Sequence, residues 1–324
     1  MDLASFTVPA SRLSRMEDSW GGPLAVIDLE SAQADLDLRL PPCPVIGLGN
    51  RAHPLASKVD VVMEPPFEVA TLIRNVAANP RAAGAFVQLL RSTAGLEPAC
   101  ALPIESMAYA MLQGSAEHAA WKSARRSISA TPGRVRAERR DNLLEIVLDR
   151  AASGNAIDRQ MRDDLSAVLG LASLDASLHQ ICLKGAGKAF SLGADLDEFG
   201  TTADPATAHA IRSLTLPAYA AAECAERLEV HVDGACVGAG IELAAFAHRI
   251  YATQRSWFQL PELAMGIIPG AGGCVSLPRR IGRQRTTLMF LSGRRLSARL
   301  ALDWGLVDAL VDDFASHERG CNVI

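Results

Sequence analysis

Residues 190–196 read FSLGADL and residues 234–244 read GACVGAGIELA, two glycine-rich turns each entered from an apolar run. Neither carries the GxxxxGK[ST] pattern of a phosphate-binding loop, and neither opens a metal site. A strand that passes through such a turn into a helix leaves backbone N–H groups unpaired at the positive helix end. Two turns of this kind facing each other would form a two-donor oxyanion hole, which stabilises charge developing on a carbonyl oxygen. Small residues suit that task, because a bulky side chain would block the carbonyl's approach.

Other constellations carry less chemistry. GLGNRA at 47–52 begins like a dinucleotide fingerprint, but Pro54 stops the required helix and the next strand arrives too soon, so it reads as a turn. GAGK at 185–188 follows a strand yet lacks the upstream glycine and the Ser/Thr of a phosphate loop. The seven histidines show no metal-type spacing, and His231 within LEVHV reads as a core or strand-face residue. Seven scattered cysteines form no CxxC pair and read as buried thiols of a reducing compartment.

The elements that position the turns follow from periodicity. From 23 to 66 the runs LAVIDL, CPVIGLGN and VDVVMEP alternate with Pro- and Asp-rich connections, which suggests strands. EVATLIRNVAAN, AAGAFVQLLRST and PIESMAYAMLQGSAEHAAWKSARR then show apolar residues at helical spacing and stop at Pro or Gly. SISATPGR at 127–134, with Pro132 and Gly133, reads as a linker. Beyond it, RVRAERRDNLLEIVLDR predicts a hairpin turning at Asp141-Asn142, and IDRQMRDDLSAVLGLA predicts a helix with Ile157, Met161, Leu165 and Val168 on one face. HQICLKG and LEVHVDG read as buried strands. Strands alternating with helices indicate an α/β fold with substantial parallel pairing.

Composition narrows the classes. A chain of 324 residues suggests about two domains, and its 49% apolar content supports a sizeable core. A net charge of −4 gives no electrostatic footprint for nucleic acid or an acidic membrane. The N-terminal MDLASFTVPASRLSR lacks the apolar core of a secretory signal, and no apolar run reaches membrane-spanning length, so a cytoplasmic protein is expected. Cys321-Asn322-Val323-Ile324 matches a prenylation box in form, but no polybasic segment or second lipid site supports it.

AFSLGADL, GACVGAGIELA and FQLPELAMGIIPGAGG, taken in order, resemble the enoyl-CoA hydratase/isomerase family, also called the crotonase superfamily. The resemblance runs from about Leu143 to Leu310 and implies a crotonase-like spiral of ββα units. It implies oxyanion donors at the N–H groups of Ala194 and Ala239, and substrate contacts at Gly193, Asp195, Leu196, Gly238 and Gly270. It also carries over two carboxylates, Glu242 and Glu262. Such a pair suits hydration of a 2,3-unsaturated thioester: one orients and deprotonates water attacking C3, and the other delivers a proton to C2. Taken alone, Glu242 also fits a carboxylate beside a helix N-terminus, and Glu262 a solvated residue after Pro261.

The resemblance therefore implies an acyl-CoA lyase of fatty-acid metabolism. Coenzyme A enters only as part of the substrate, with no other cofactor and no metal, and trimers or hexamers are expected. A crotonase-type isomerase or a thioester hydrolase would use the same oxyanion hole, and a non-catalytic acyl-CoA-binding subunit is the reading from another class. Lys188 is a candidate for CoA phosphates, and the cluster Arg279, Arg280, Arg283 and Arg285 for a CoA phosphate or a neighbouring subunit. Both also read as solvated positions, the arginines at a helix end.

One departure from the family shapes the domain organisation. Family members continue after the GLVD element into helices that help cover the acyl-CoA site, whereas here HERGCNVI follows WGLVDALVDDFAS. The helical stretch of the N-terminal region resembles that missing tail, placed ahead of the core. Val59-Asp60 with Phe67 also echoes Val307-Asp308 with Phe314. The expected division is an extension at 1–22, a helix-rich α/β region at 23–126 that is either a degenerate crotonase-like half or similar by composition only, a linker at 127–133, and a catalytic core at 134–324. The helices from about 68 to 126 are expected to cap the site.

Overall fold

The computed structural model describes residues 2–14, 20–125 and 131–314. Most of the expected linker, and the prenylation-like box, lie outside the described residues.

The first half holds three short parallel strands, β1 (Ala25–Asp28), β2 (Val45–Leu48) and β3 (Val61–Val62), in that order in one sheet. Four helices follow: α1 (Val69–Ala78), α2 (Pro80–Ser92), α3 (Pro98–Gln113) and α4 (Ala116–Ser123). The strands read as continuous apolar runs because both sheet faces are covered. Leu24 and Val26 join the main core, whereas Ala25 and Ile27 face a smaller cluster with Val8, Leu13 and Leu55.

The second half opens with a hairpin of β4 (Arg134–Arg140) and β5 (Leu143–Asp149), turning through Asp141 at φ 52°. After it come α5 (Arg159–Leu174), β6 (Gln180–Gly185), β7 (Ala189–Ser191), α6 (Pro205–Thr215), α7 (Pro217–Glu223), β8 (Leu228–Val232) and β9 (Ala235–Val237). Then follow α8 (Ala239–Ala244), β10 (Arg249–Thr253), β11 (Trp257–Gln259), α9 (Gly273–Ser292), β12 (Leu296–Ser297), α10 (Ala298–Asp303) and β13 (Ala309–Val311). Strands alternate between two sheets, ordered β13-β10-β8-β6-β5-β4 and β12-β11-β9-β7. The pairs β6/β7, β8/β9 and β10/β11 each send one strand to the large sheet and the next to the small one before a helix returns the chain. That is a spiral of ββα units. The outer strand β4 is antiparallel and lined with Arg134, Arg136, Arg139 and Arg140, charges that blunt an exposed edge.

Helix α5 begins two residues later than its pattern implies. Asp158 caps it, accepting the Met161 N–H at 2.9 Å, so Ile157 precedes the helix and its buried face is Met161, Leu165, Leu169 and Ala172. Val168 is only half-buried.

The two halves share one main apolar core. Phe86 of α2 stacks on Phe290 of α9 with ring centroids 3.9 Å apart, and Phe67 stacks on Trp304. Asn75 of α1 donates to the carbonyls of Leu291 and Ser292, which end α9.

The arginine cluster on α9 corrects the expectation of a solvated helix end or a phosphate site. Arg279 bonds the carbonyls of Val275 and Leu96, Arg280 bonds Leu306, Ala247 and Asp308, and Arg283 bonds Asp60 and the Val59 carbonyl. Arg285 bonds Glu64 and lies over the Trp304 ring. Three of the four therefore tie the spiral to the first half, and Arg280 ties α9 to the strand end before β13. A kink at Gly282, at φ 79°, redirects the helix between them.

Candidate active site

Each glycine-rich turn is built by its strand end. After β7, Gly193 takes φ 91°, and a Cβ there would lie 2.8 Å from the Val237 carbonyl oxygen. The Ser191 hydroxyl accepts the Gly193 N–H at 3.1 Å and donates to the Asn155 carbonyl. Ile157 N–H bonds the Gly193 carbonyl, and Asp195 N–H bonds the Ile157 carbonyl. These bonds pin the turn on both sides of Ala194, whose own N–H has no partner among the described residues.

The second turn follows β9. Gly238 takes φ 48° and donates its N–H to the Gln259 carbonyl. Ala239 opens α8, and its N–H also lacks a partner among the described residues. Its nitrogen lies 3.4 Å from where a Gly193 Cβ would be, so the two turns abut. Two free N–H groups from neighbouring turns can together bind one oxygen carrying negative charge.

Two glutamates border them. Glu262, which follows β11, is 7% exposed, which replaces the solvated reading of that residue. Its Oε1 lies 2.7 Å from the position a Cβ on Gly238 would take, and its Oε2 is buried with no partner among the described residues. Burial, and then the charge of Glu242, hold its carboxyl well above the usual range. Glu242 on α8 accepts the N–H groups of Ala271 and Gly273 on Oε2, at 2.7 and 2.9 Å. Burial pushes it up to about 7 against the pull of those two bonds.

A third carboxylate comes from the first half. Glu105 of α3 accepts Gly272 N–H on Oε1 at 2.7 Å and Cys274 N–H on Oε2 at 2.8 Å. Four successive N–H groups, Ala271 to Cys274, thus alternate between Glu242 and Glu105. They include the unpaired donors at the start of α9, where negative charge is favoured. Burial first, and the Glu242 charge second, raise the Glu105 carboxyl.

One cavity of about 530 Å³ is lined by Gly193, Ala194, Asp195, Leu196, Gly238, Ala239, Glu242, Glu262 and Gly270, so all nine residues singled out in the sequence meet there. Asp195 is already committed: it accepts Arg150 Nη1 at 2.6 Å and caps the turn at Asp197. Lys188 and the α9 arginines do not line the cavity. Four lining or supporting residues were not singled out: Glu105, Tyr109 and Gln113 of α3, and Arg212 of α6. The detectable signal was a helical face of Ala101, Leu102, Glu105, Tyr109 and Leu112 in which one carboxylate interrupts an apolar stripe.

Residues 138–320 match the sequence profile of the enoyl-CoA hydratase/isomerase family. The chain belongs to that family. It is 33% identical over 183 residues to a mevalonyl-coenzyme A hydratase from Beauveria bassiana, covering 54% of this chain and 65% of that protein. It is also 33% identical over 169 residues to a 2,3-dehydroadipyl-CoA hydratase from Escherichia coli, covering 52% and 66%. Among solved structures, an enoyl-CoA hydratase from Thermoplasma volcanium aligns with a TM-score of 0.52 at 34% identity, over 58% of this chain and 75% of that one. An enoyl-CoA hydratase/isomerase from Mycobacterium paratuberculosis aligns with a TM-score of 0.54 at 26% identity, over 60% and 78%. The chain thus spans about two thirds of the length of these curated relatives. The family match begins at residue 138, so the helices supplying Glu105 and Tyr109 lie outside it. Among the described residues no helix is long and apolar enough to cross a membrane.

Proposed function

We propose that this chain is a cytoplasmic acyl-CoA hydratase that adds water across the 2,3 double bond of an enoyl-CoA thioester. The observation that carries the reading is the pairing of two free backbone donors, on Ala194 and Ala239, with two buried glutamates in one cavity. Coenzyme A enters as part of the substrate, and self-association into trimers or hexamers belongs to the same proposal. The curated relatives support it, being hydratases of CoA thioesters by name.

The thioester carbonyl accepts the N–H groups of Ala194 and Ala239. As charge moves onto that oxygen, both bonds strengthen and the enolate is stabilised. Glu242, with two donors on its Oε2, is the group suited to ionise near neutral pH, and it removes the proton from water as the hydroxyl bonds to C3. Glu262, whose buried Oε2 has no donor to stabilise a charge, keeps its proton and delivers it to C2. One water is consumed. The cycle closes when the proton gained by Glu242 returns to Glu262 through solvent or product exchange.

A panel of enoyl-CoA and acyl-CoA thioesters tests this, with loss of the conjugated double bond and release of free thiol followed separately. Loss of conjugation without thiol release is expected. Thiol release alone would make the enzyme a hydrolase, a migrated double bond an isomerase, and binding without turnover a carrier subunit. Glu242→Gln and Glu262→Gln should each lower turnover at least about 100-fold with thioester affinity nearly intact. Ala239→Pro removes one donor at the first position of α8, where proline is tolerated, and should cost about 3 kcal/mol of transition-state stabilisation. For the wild type, kcat/KM should climb with pH through about 7 as Glu242 ionises, then fall at higher pH as Glu262 loses its proton. A flat profile across that range would count against both assignments.

A further inference from the structure

The cavity lining includes the apolar side chains Ile157, Leu165, Leu192, Leu216 and Met265, and among its charged residues is Arg212. That guanidinium is half-buried between α6 and α3 and forms no ion pair among the described residues. Its hydrogen bonds all go to neutral groups, and the Glu105 carboxyl acts on it only through space. Nε donates to the Ser106 hydroxyl at 3.1 Å, Nη2 to the Ser106 carbonyl at 3.1 Å, and Nη1 to Gln113 Oε1 at 3.0 Å. Its plane lies over the Tyr109 ring, 4.5 Å from the centroid. Three of five N–H donors are used, all by neutral groups, which leaves two in the fork.

The carboxylates nearby are spoken for. Asp195 and Asp158 pair with Arg150, and Glu198 accepts the Arg159 backbone N–H. Glu105 feels the Arg212 charge through space but gives its oxygens to the N–H groups at the start of α9. A half-buried cation with open donors and no partner costs free energy unless a ligand supplies the counter-charge. Tyr109 adds to the same wall, because its hydroxyl has no hydrogen-bond partner among the described residues and its ring lies against Gly270, at the foot of the turn held by Glu242.

We infer that Arg212, with Tyr109 beside it, recognises a carboxylate at the far end of the acyl chain, so that the substrate class is an enoyl-CoA whose acyl group is a dicarboxylic half-thioester. This rests on the proposed acyl-CoA site. The alternative source of an anion, the phosphates of CoA itself, fits Arg212 poorly. Those phosphates keep water around them, and the more exposed Arg159 of α5 lines the same cavity, whereas Arg212 is packed against the Tyr109 ring. A planar fork that is already oriented binds a carboxylate through two parallel bonds with little ordering cost.

The test measures binding of saturated, unreactive thioesters by calorimetry, so that turnover plays no part. Succinyl-, glutaryl- and adipyl-CoA are each compared with the uncharged butyryl-, valeryl- and hexanoyl-CoA, with free CoA as a reference. At the chain length that reaches Arg212, the carboxyl-ended thioester should bind roughly 10- to 100-fold more tightly than its uncharged counterpart, the range for a charge-assisted hydrogen bond. Arg212→Met should erase that difference while leaving free CoA affinity unchanged, and Arg212→Lys should retain part of it. Equal wild-type affinity for charged and uncharged chains at every length overturns the inference without any variant, and so does a preference that survives in Arg212→Met. Equal loss for both series in Arg212→Met would mean that the residue only holds α6 to α3. Hydration of 2,3-unsaturated thioesters, both uncharged and carboxyl-ended, is scored separately: its absence with every one sinks the hydratase reading alone, whereas failure to bind any acyl-CoA sinks both.

Discussion

The two halves lock a pair of parallel strands with the same device. In the first half, Asp60 N–H bonds the Val45 carbonyl at 3.0 Å, while Val45 N–H bonds Asp60 Oδ2 at 2.9 Å. In the second, Asp308 N–H bonds the Ile250 carbonyl at 2.9 Å, while Ile250 N–H bonds Asp308 Oδ2 at 2.7 Å. Each aspartate also receives an arginine from α9, Arg283 for Asp60 and Arg280 for Asp308. A downstream aromatic stacks in both cases, Phe67 on Trp304 and Phe314 on His231. The halves part company at the strand ends. Residues after β7 and β9 form the glycine turns and carry Glu242, whereas β2 runs into a short turn capped by His53. The shared device serves strand pairing, which any fold of this type needs. The chemistry requires turns that only one half has, and the other half's helices complete that half's cavity.

Removing the first half is the severest way to break the comparison. A chain beginning at Thr131 would expose the face of α9 that carries Phe290 and leave Arg283 without Asp60. Exposed apolar area costs about 25 cal/mol per Å², and large contiguous patches drive association. Such a chain should aggregate or lose all activity, and supplying residues 1–130 as a separate polypeptide should restore part of it. A monodisperse, fully active fragment by light scattering and turnover would show that the halves are independent.

The matched aspartates give a smaller, sharper contrast. The Asp60 side chain is 1% exposed and faces both Arg91 and Arg283, so Asp60→Asn strands two cations. The Asp308 side chain is 31% exposed and faces one. Breaking a buried pair costs about 3–5 kcal/mol, against about 1 kcal/mol for one open to solvent. Denaturant titration should therefore rank Asp60→Asn well below Asp308→Asn. Equal losses would mean that the device, rather than its burial, sets the cost.

These contrasts separate what the residue pattern reveals from what it hides. The spiral was legible through the family resemblance, whose motifs include turns that need particular residues: Gly193 and Gly238 adopt positive φ and abut other backbone. The hairpin at Asp141-Asn142 and the long helices were legible through periodicity. Glu105 was not, since a carboxylate within an Ala/Leu-rich helix looks like a surface charge until its partners, 167 and 169 positions away, are known. The α9 arginines misled for the same reason. Spacing along a helix places them on one stretch, but only the tertiary arrangement gives them Asp60, Glu64 and backbone carbonyls instead of solvent. Arg212 likewise stands out only once the acids around it are seen to be engaged.

The mildest contrast sets Glu262, from the half that carries the glycine turns, against Glu105, from the other half. Burial raises the Glu262 carboxyl above its unfolded value. As pH rises past the unfolded value of about 4.3, the unfolded chain gives up this proton while the folded chain keeps it. Stability therefore falls with rising pH until the folded group also ionises. Glutamine has the shape of the protonated acid and carries no such penalty, so Glu262→Gln should melt above the wild type at pH 7–8, by roughly 1–2 °C for each kcal/mol in a chain of this length. The gap should close as pH drops toward 4. Glu105→Gln should move the other way. Both of its oxygens accept backbone N–H groups, and an amide nitrogen in place of one leaves a buried donor facing a donor, at about 1–3 kcal/mol. Melting curves of both variants across pH 4–8 decide the matter: a rise for both would show that Glu105 does not hold the start of α9, and a fall for both that Glu262 has a partner supporting its charge.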